Sequence, residues 1–167
     1  GERVRAIAAG LLAEGINRED RVAILCNTRV EWVLCDLGIL AAGAATTTVY
    51  PSSTAEDCAF ILSDSETRIA FVEDLSQLKK LEDQRAEMPT LRKLVLIDGS
   101  VPPEHKEWVI TLDQLEDLGA AHLKKHPKAI DEQVAGISGE HLATLIYTSG
   151  TTGRPKGVRL MHECWAY

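Results

Sequence analysis

The sequence predicts an α/β fold: an open, mostly parallel sheet with helices on both faces. Three observations predict it. Short apolar or β-branched runs alternate with longer stretches of helical periodicity, a rhythm that implies right-handed crossovers between parallel strands. One run, Lys93 to Ile97, is apolar past its lysine, as suits a strand buried on both sheet faces. Glycines and prolines fall between the runs, where turns are required.

Taken in order, Val4, Ile7, Ala8, Leu11 and Leu12 carry the spacing of a helix with one buried face, and Gly15 stands where a left-handed C-cap belongs. Arg21 to Cys26 is a short strand. Thr28 and Glu31 have the spacing of a capping box, opening a helix whose inner face is Val30, Val33, Leu34, Leu37 and Ala41. Ala44 to Val49 is a second strand, halted by Pro51, and Ser53 with Glu56 forms a second capping box for a helix to Ser63. Arg68 to Glu73 is the third strand. Asp74 to Met88 is charged and helical, with a narrow stripe of Leu75, Leu78, Leu81 and Glu82, and Pro89 ends it. After the Lys93 strand, Trp108 to Ile110 is a short strand and Thr111 caps a helix to Lys125, where Lys124, Lys125 and His126 suit the negative end of the helix dipole. Residues 127–141 read as a connector before a strand at Leu142 to Ile146.

At 167 residues and 45% hydrophobic, the chain has the length of one domain and can bury about 70% of its unfolded surface. A net charge of −7 argues against nucleic acid or an anionic membrane as the main partner. Cys26, Cys35, Cys58 and Cys164 form no CxxC pair, so they read as reduced thiols and not as a zinc site. No apolar run approaches the roughly 20 residues of a membrane span. The expected place is therefore the cytoplasm, or the periphery of a membrane.

The densest chemistry lies from Tyr147 to Val158, YTSGTTGRPKGV, which reads as a phosphate cradle at the carboxyl end of a strand. Gly150 and Gly153 let the backbone approach an anion, so that consecutive N–H groups can converge on it. Thr148, Ser149, Thr151 and Thr152 add hydroxyls, any of which could ligate a metal held by phosphates. Pro155 stiffens the far limb, and Lys156 brings a point charge on a long stem. Residues 141–162 contain no carboxylate, while Arg154, Lys156 and Arg159 all lie there. The spacing is not that of a Walker P-loop, because Gly157, not Ser or Thr, follows the lysine.

In this order the stretch resembles the phosphate-loop signature of adenylate-forming enzymes: acyl- and aryl-CoA synthetases, luciferases and peptide-synthetase adenylation domains. Gly15, Asp20 to Ile24, Asn27 to Trp32 and Tyr50-Pro51 through Asp64 further resemble the opening of bacterial long-chain fatty acyl-CoA synthetases. One position departs from the pattern: the family commonly has an Asn two residues after its His, and here His162 is followed by Glu163 and Cys164.

The resemblance implies an amino-terminal part of the large domain of such an enzyme, with chain missing at both ends. It implies ATP, Mg2+ and coenzyme A as reactants and cofactors, and a fatty acid as substrate. Thr148, Ser149, Gly150, Thr151, Thr152 and Gly153 would hold the β- and γ-phosphates, with Thr151 or Thr152 toward magnesium. Lys156 would follow the departing pyrophosphate, and His162 would border the substrate pocket. The adenine pocket, the ribose-binding aspartate and the catalytic lysine would lie beyond Tyr167, leaving no catalytic residue here and no activity for the chain alone. A competing expectation is a non-catalytic nucleotide-binding or assembly module that keeps only the loop. Trp32 reads as packing, and Asp57, Asp64, Glu66 and Glu73 as a solvated acidic face. An incomplete domain should expose apolar surface and self-associate.

Overall fold

The computed structural model describes residues 1–148 and 154–165. Along the chain run α1 (Glu2–Ala13), β1 (Arg21–Leu25), α2 (Val30–Ala41), β2 (Ala45–Val49), α3 (Ala55–Asp64), β3 (Ile69–Val72) and α4 (Leu75–Asp83). They are followed by β4 (Lys93–Leu96), β5 (Val109–Thr111), α5 (Leu112–Lys125), α6 (Ala129–Ala135), β6 (Leu142–Thr148) and β7 (Lys156–Met161). The strands form one sheet in the order β5-β4-β3-β1-β2-β6-β7, parallel except for the β6–β7 pair. The α/β expectation holds.

Alternation along β1 builds two cores. Val22 and Ile24 point to one face and pack with Ile7, Leu11, Ile39 and Leu115 of α1, α2 and α5. Ala23 and Leu25 point to the other and pack with Leu62, Leu78 and Leu81 of α3 and α4. Each strand's apolar residues thus serve two layers, which is why the strands read as continuous apolar runs.

The predicted cap at Gly15 is present: its φ is +76°, and the Gly15 and Ile16 N–H groups donate to Leu12 and Leu11 oxygens at 2.9 and 3.0 Å. The helix layer is held by close backbone approach. A Cβ built on Gly119 of α5 would stand 1.8 Å from the Ala6 carbonyl oxygen, and one on Gly10 of α1 would stand 2.3 Å from the Leu115 oxygen. The two helices therefore cross where both lack side chains.

Several local expectations are corrected. Thr28 does not cap α2: Arg29 is its N-cap residue, without a side-chain bond, and Glu31 is drawn into an ion pair with Arg29 at 2.6 Å. The α3 cap is Thr54, accepting from the Asp57 N–H, one residue beyond the predicted Ser53 and Glu56 box. On α2 the buried residues are Cys35, Gly38 and Ile39, whereas Val30, Val33 and Leu37 are exposed. A Gly38 Cβ would meet Ile7 Cγ2 at 2.5 Å, so the approach of α1 decides which face of this nearly all-apolar helix turns inward. α4 ends at Asp83 and gives way to a 3-10 turn, Arg85–Glu87; its Leu75 is exposed while Leu78 and Leu81 are buried. The connector contains α6, a seven-residue helix anchored through buried Ile130.

Cys26, Cys35 and Cys58 are buried and Cys164 is exposed, all as free thiols. Burial pushes the Cys58 thiol up to about 11 and Cys26 to about 12, so both stay protonated near neutrality.

Candidate functional site

The signature stretch is built on a β-hairpin. β6 lies parallel to β2, with Thr46, Thr47 and Thr48 opposite Thr144, Leu145 and Ile146, and the Thr144 hydroxyl donates to the Thr46 carbonyl at 2.8 Å. β7 returns antiparallel, pairing Ile146 with Val158, Tyr147 with Gly157 and Thr148 with Lys156. The sequence had suggested one short turn after a strand ending at Ile146. In the fold, Tyr147 and Thr148 still belong to β6, and Lys156 opens β7. Sequence patterning could not show this, since β7 is exposed on most of its length and becomes a strand only by pairing with β6.

The pairing has a chemical consequence. Thr148 and Lys156 stand directly opposite each other, so hydroxyl and ammonium flank the two ends of the 149–155 connection. Both are exposed. Ser149, Gly150, Thr151, Thr152 and Gly153, including the proposed magnesium ligand, lie outside the described residues. Past them, the Arg154 guanidinium sits 5.1 Å from the Phe60 ring of α3, a cation–π contact that brings the returning limb against that helix. On the same side the Tyr147 hydroxyl donates to Asp64 Oδ2 at 2.7 Å.

Tertiary structure also changes the electrostatics. Residues 141–162 are free of carboxylates along the chain, but a cleft of about 640 Å³ beside Arg154 and Phe60 is lined by Glu56, Asp57 and Glu87. The predicted acidic face is not one patch. Glu66 pairs with Arg21 at 2.5 Å, Asp64 accepts from Tyr147, and Glu73 accepts from the Asn27 backbone and side chain at 2.8 and 2.7 Å.

Successive strands leave β1 in opposite directions, so the crevice at the carboxyl ends of β1 and β3 is a place where open sheets bind ligands. Here Arg29 fills it. The guanidinium engages Glu31 at 2.6 Å, Asp98, and Glu73 at 3.9 Å. The chain reverses a second time when it returns from β5 to place β6 outside β2, and the glycine and threonine run follows that strand.

His162 begins a 3-10 turn, His162–Trp165, and its N–H donates to the His141 oxygen at 3.0 Å. The imidazole lines a largely apolar pocket of about 340 Å³ with Trp32, Asp36, Leu40, Ile146 and Trp165. Burial, and then the nearby His141, lower its pKa, which favours the neutral imidazole. Trp32 packs on the helix-layer core, as expected, and also borders this pocket. Asp36 was not singled out from the sequence. It accepts from the Thr46 hydroxyl at 2.7 Å, and burial raises its carboxyl pKa. Its sequence signal is an acid in the middle of an otherwise apolar helix, a turn past Glu31.

Among the described residues, no group of three or more His, Cys, Asp or Glu side chains could hold a metal ion, and no helix is long and apolar enough to cross a membrane.

Comparison with known proteins bears on the family and the fold. The AMP-binding enzyme family matches residues 1–167. The long-chain-fatty-acid–CoA ligase FadD15 of Mycobacterium bovis is 39% identical over 158 residues, covering 95% of this chain and 25% of that protein. The long-chain-fatty-acid–CoA ligase ACSBG2 of Xenopus laevis is 31% identical over 163 residues, covering 97% of this chain and 21% of its own length. Among solved structures, the anthranilate CoA ligase AuaEII in complex with anthranoyl-AMP superposes with a TM-score of 0.76 at 23% identity, over 97% of this chain and 29% of that one. A long-chain-fatty-acid-CoA ligase, FadD1 from Archaeoglobus fulgidus, gives 0.76 at 19% identity, over 96% of this chain and 28% of that one. These structural likenesses bear on fold. The chain spans about a quarter of the length of the FadD15 relative.

Proposed function

The chain belongs to the AMP-binding enzyme family, and from that premise we propose that it supplies the phosphate-binding hairpin of an ATP-dependent long-chain fatty acid–CoA ligase. The observation that carries this is the register that sets Lys156 opposite Thr148 at the base of the glycine and threonine run. The chain is then the amino-terminal part of a longer adenylation domain, working in the cytoplasm or at a membrane surface.

In such a reaction a carboxylate oxygen attacks the α-phosphorus of ATP, the bond to pyrophosphate breaks, and acyl-AMP forms. The coenzyme A thiol then displaces AMP. Both steps depend mainly on positioning and on neutralising phosphate charge. Thr148, Ser149, Gly150, Thr151, Thr152 and Gly153 would hold the β- and γ-phosphates through hydroxyls and backbone N–H groups. Lys156, on a stem long enough to follow the charge, would stay with pyrophosphate as it leaves. A hydroxyl such as Thr151 would help hold Mg2+ beside the triphosphate, and the ion would supply further neutralisation of phosphate charge. The apolar pocket bordered by His162 would receive part of the acyl substrate. No catalytic acid or base is assigned to this chain, and alone it should make no acyl-CoA.

Incubating the protein that carries this chain with ATP, Mg2+ and a long-chain fatty acid is expected to release pyrophosphate and AMP. Release of ADP would overturn the assignment, and binding of ATP without turnover would make the chain a nucleotide-binding module.

Self-association of the isolated chain belongs to the same proposal. Val30, Val33 and Leu37 form an exposed stripe on α2, and Ile146 and Trp165 are exposed at the neighbouring pocket. Sedimentation velocity is expected to show species heavier than the 18.3 kDa monomer. A single monomer boundary at all concentrations would count against it.

A further inference from the structure

We propose that Tyr147 is a positioning residue for the phosphate-binding hairpin, acting through its hydrogen bond to Asp64 and its contact across Gly157. This deepens the phosphate-binding reading and rests on it.

β7 is the outer strand of the sheet, paired among the described residues only with β6 and largely exposed. A strand held on one side is free to twist, and a twist near Gly157 would swing Lys156, the adjacent residue, away from Thr148. Tyr147 opposes that motion. Its ring, half-buried, touches both the α3–α4 core and the small cluster of Ala45, Leu142 and Leu145 beneath the hairpin. It also lies over its own register partner: a Cβ built on Gly157 would stand 3.0 Å from Tyr147 Cζ and 3.2 Å from its hydroxyl oxygen. The absent side chain at 157 leaves room for the ring against β7 while its hydroxyl bonds Asp64 of α3.

The far end of the link is rigid. Asp64 is the last residue of α3, whose Cys58, Ala59, Ile61 and Leu62 are buried and whose first turn is capped by Thr54. Beyond Asp64, the Thr67 N–H closes the helix end onto the Leu62 oxygen at 2.9 Å. The Tyr147–Asp64 bond at 2.7 Å therefore ties the hairpin to a fixed element, and the Arg154–Phe60 contact repeats the attachment on the other limb. Groups that hold a transferring phosphate must be preorganised, and the residues that lock them matter as much as those that touch it.

The test uses the whole chain, with Tyr147→Phe, Asp64→Ala, Asp64→Asn and Lys156→Ala. Amide hydrogen exchange over residues 156–161 is read without ligand, and Mg2+–pyrophosphate affinity is read by calorimetry. Tyr147→Phe and Asp64→Ala are expected to speed exchange in β7 and to weaken pyrophosphate by about tenfold, the scale of a slight misplacement of a binding group. The melting midpoint should stay within about 2 °C, since one exposed hydrogen bond is lost. Asp64→Asn, which still accepts the phenol's hydrogen bond, should keep the parent affinity. Unchanged exchange in Tyr147→Phe overturns the link itself. Faster exchange with unchanged affinity, while Lys156→Ala weakens binding, overturns the positioning role and leaves the phosphate-binding reading intact. No pyrophosphate binding by the parent chain, or none lost in Lys156→Ala, overturns the phosphate-binding reading and the positioning role with it.

Discussion

Gly119→Ala is expected to destabilise the chain by about 3 kcal/mol or more, because the added methyl must displace main chain and not a movable side chain. At position 119 the new Cβ would stand 1.8 Å from the Ala6 carbonyl oxygen and 2.7 Å from the Gly10 nitrogen. Relief requires α5 to move away from α1, and that would open the core where Leu11 and Leu115 are fully buried. For a chain of this size the loss corresponds to a melting midpoint roughly 6–12 °C lower. Gly136→Ala is the control. Its Cβ would also meet an atom at 2.3 Å, but that atom is Arg18 Nη2, the end of a flexible side chain, so the shift should be within about 0.5 kcal/mol. Thermal unfolding followed by circular dichroism separates the two, and equal midpoints would mean the α1–α5 crossing has slack.

Lys156→Ala is expected to have the largest functional effect. A charge-assisted bond from an ammonium to phosphate is worth roughly 1.5–3 kcal/mol, so pyrophosphate affinity, and the adenylation rate of the protein carrying this chain, should fall about 10- to 150-fold. Stability should hardly change, since Lys156 is exposed at the start of an edge strand. Lys156→Arg keeps the charge but replaces a compact ammonium with a broad planar fork, so partial recovery is expected. A fatty-acid-dependent pyrophosphate exchange assay measures this, and an unchanged rate in Lys156→Ala would place the lysine away from the phosphates.

Much of the scaffold was legible because its signals are local. The apolar runs at Arg21, Ile69 and Lys93 became strands within one or two residues of their expected bounds, and the left-handed glycine at position 15 closed α1 as its spacing implied. The α2 stripe failed for a physical reason. With Val30, Trp32, Val33, Leu34, Leu37, Ile39 and Leu40 apolar, no single face stands out, and the choice fell to the packing of Ile7 against Gly38. The cap at α3 missed by one residue because Ser53–Glu56 and Thr54–Asp57 offer the same chemistry in adjacent registers.

The site divides in the same way. The residue types that suit a phosphate cradle stand together in Tyr147 to Val158, and composition plus order sufficed to find them, since glycine, hydroxyl and lysine chemistry is carried by each residue wherever it folds. The pairing of Thr148 with Lys156, the Tyr147–Asp64 bond across 83 positions, and the meeting of Trp32, Asp36 and His162 at one pocket were decided by the fold. The first rests on an exposed strand that forms only by pairing with β6, and the other two join segments that are distant in sequence. They come about only when strand order and helix packing have brought two backbones side by side, and no local pattern encodes that distance.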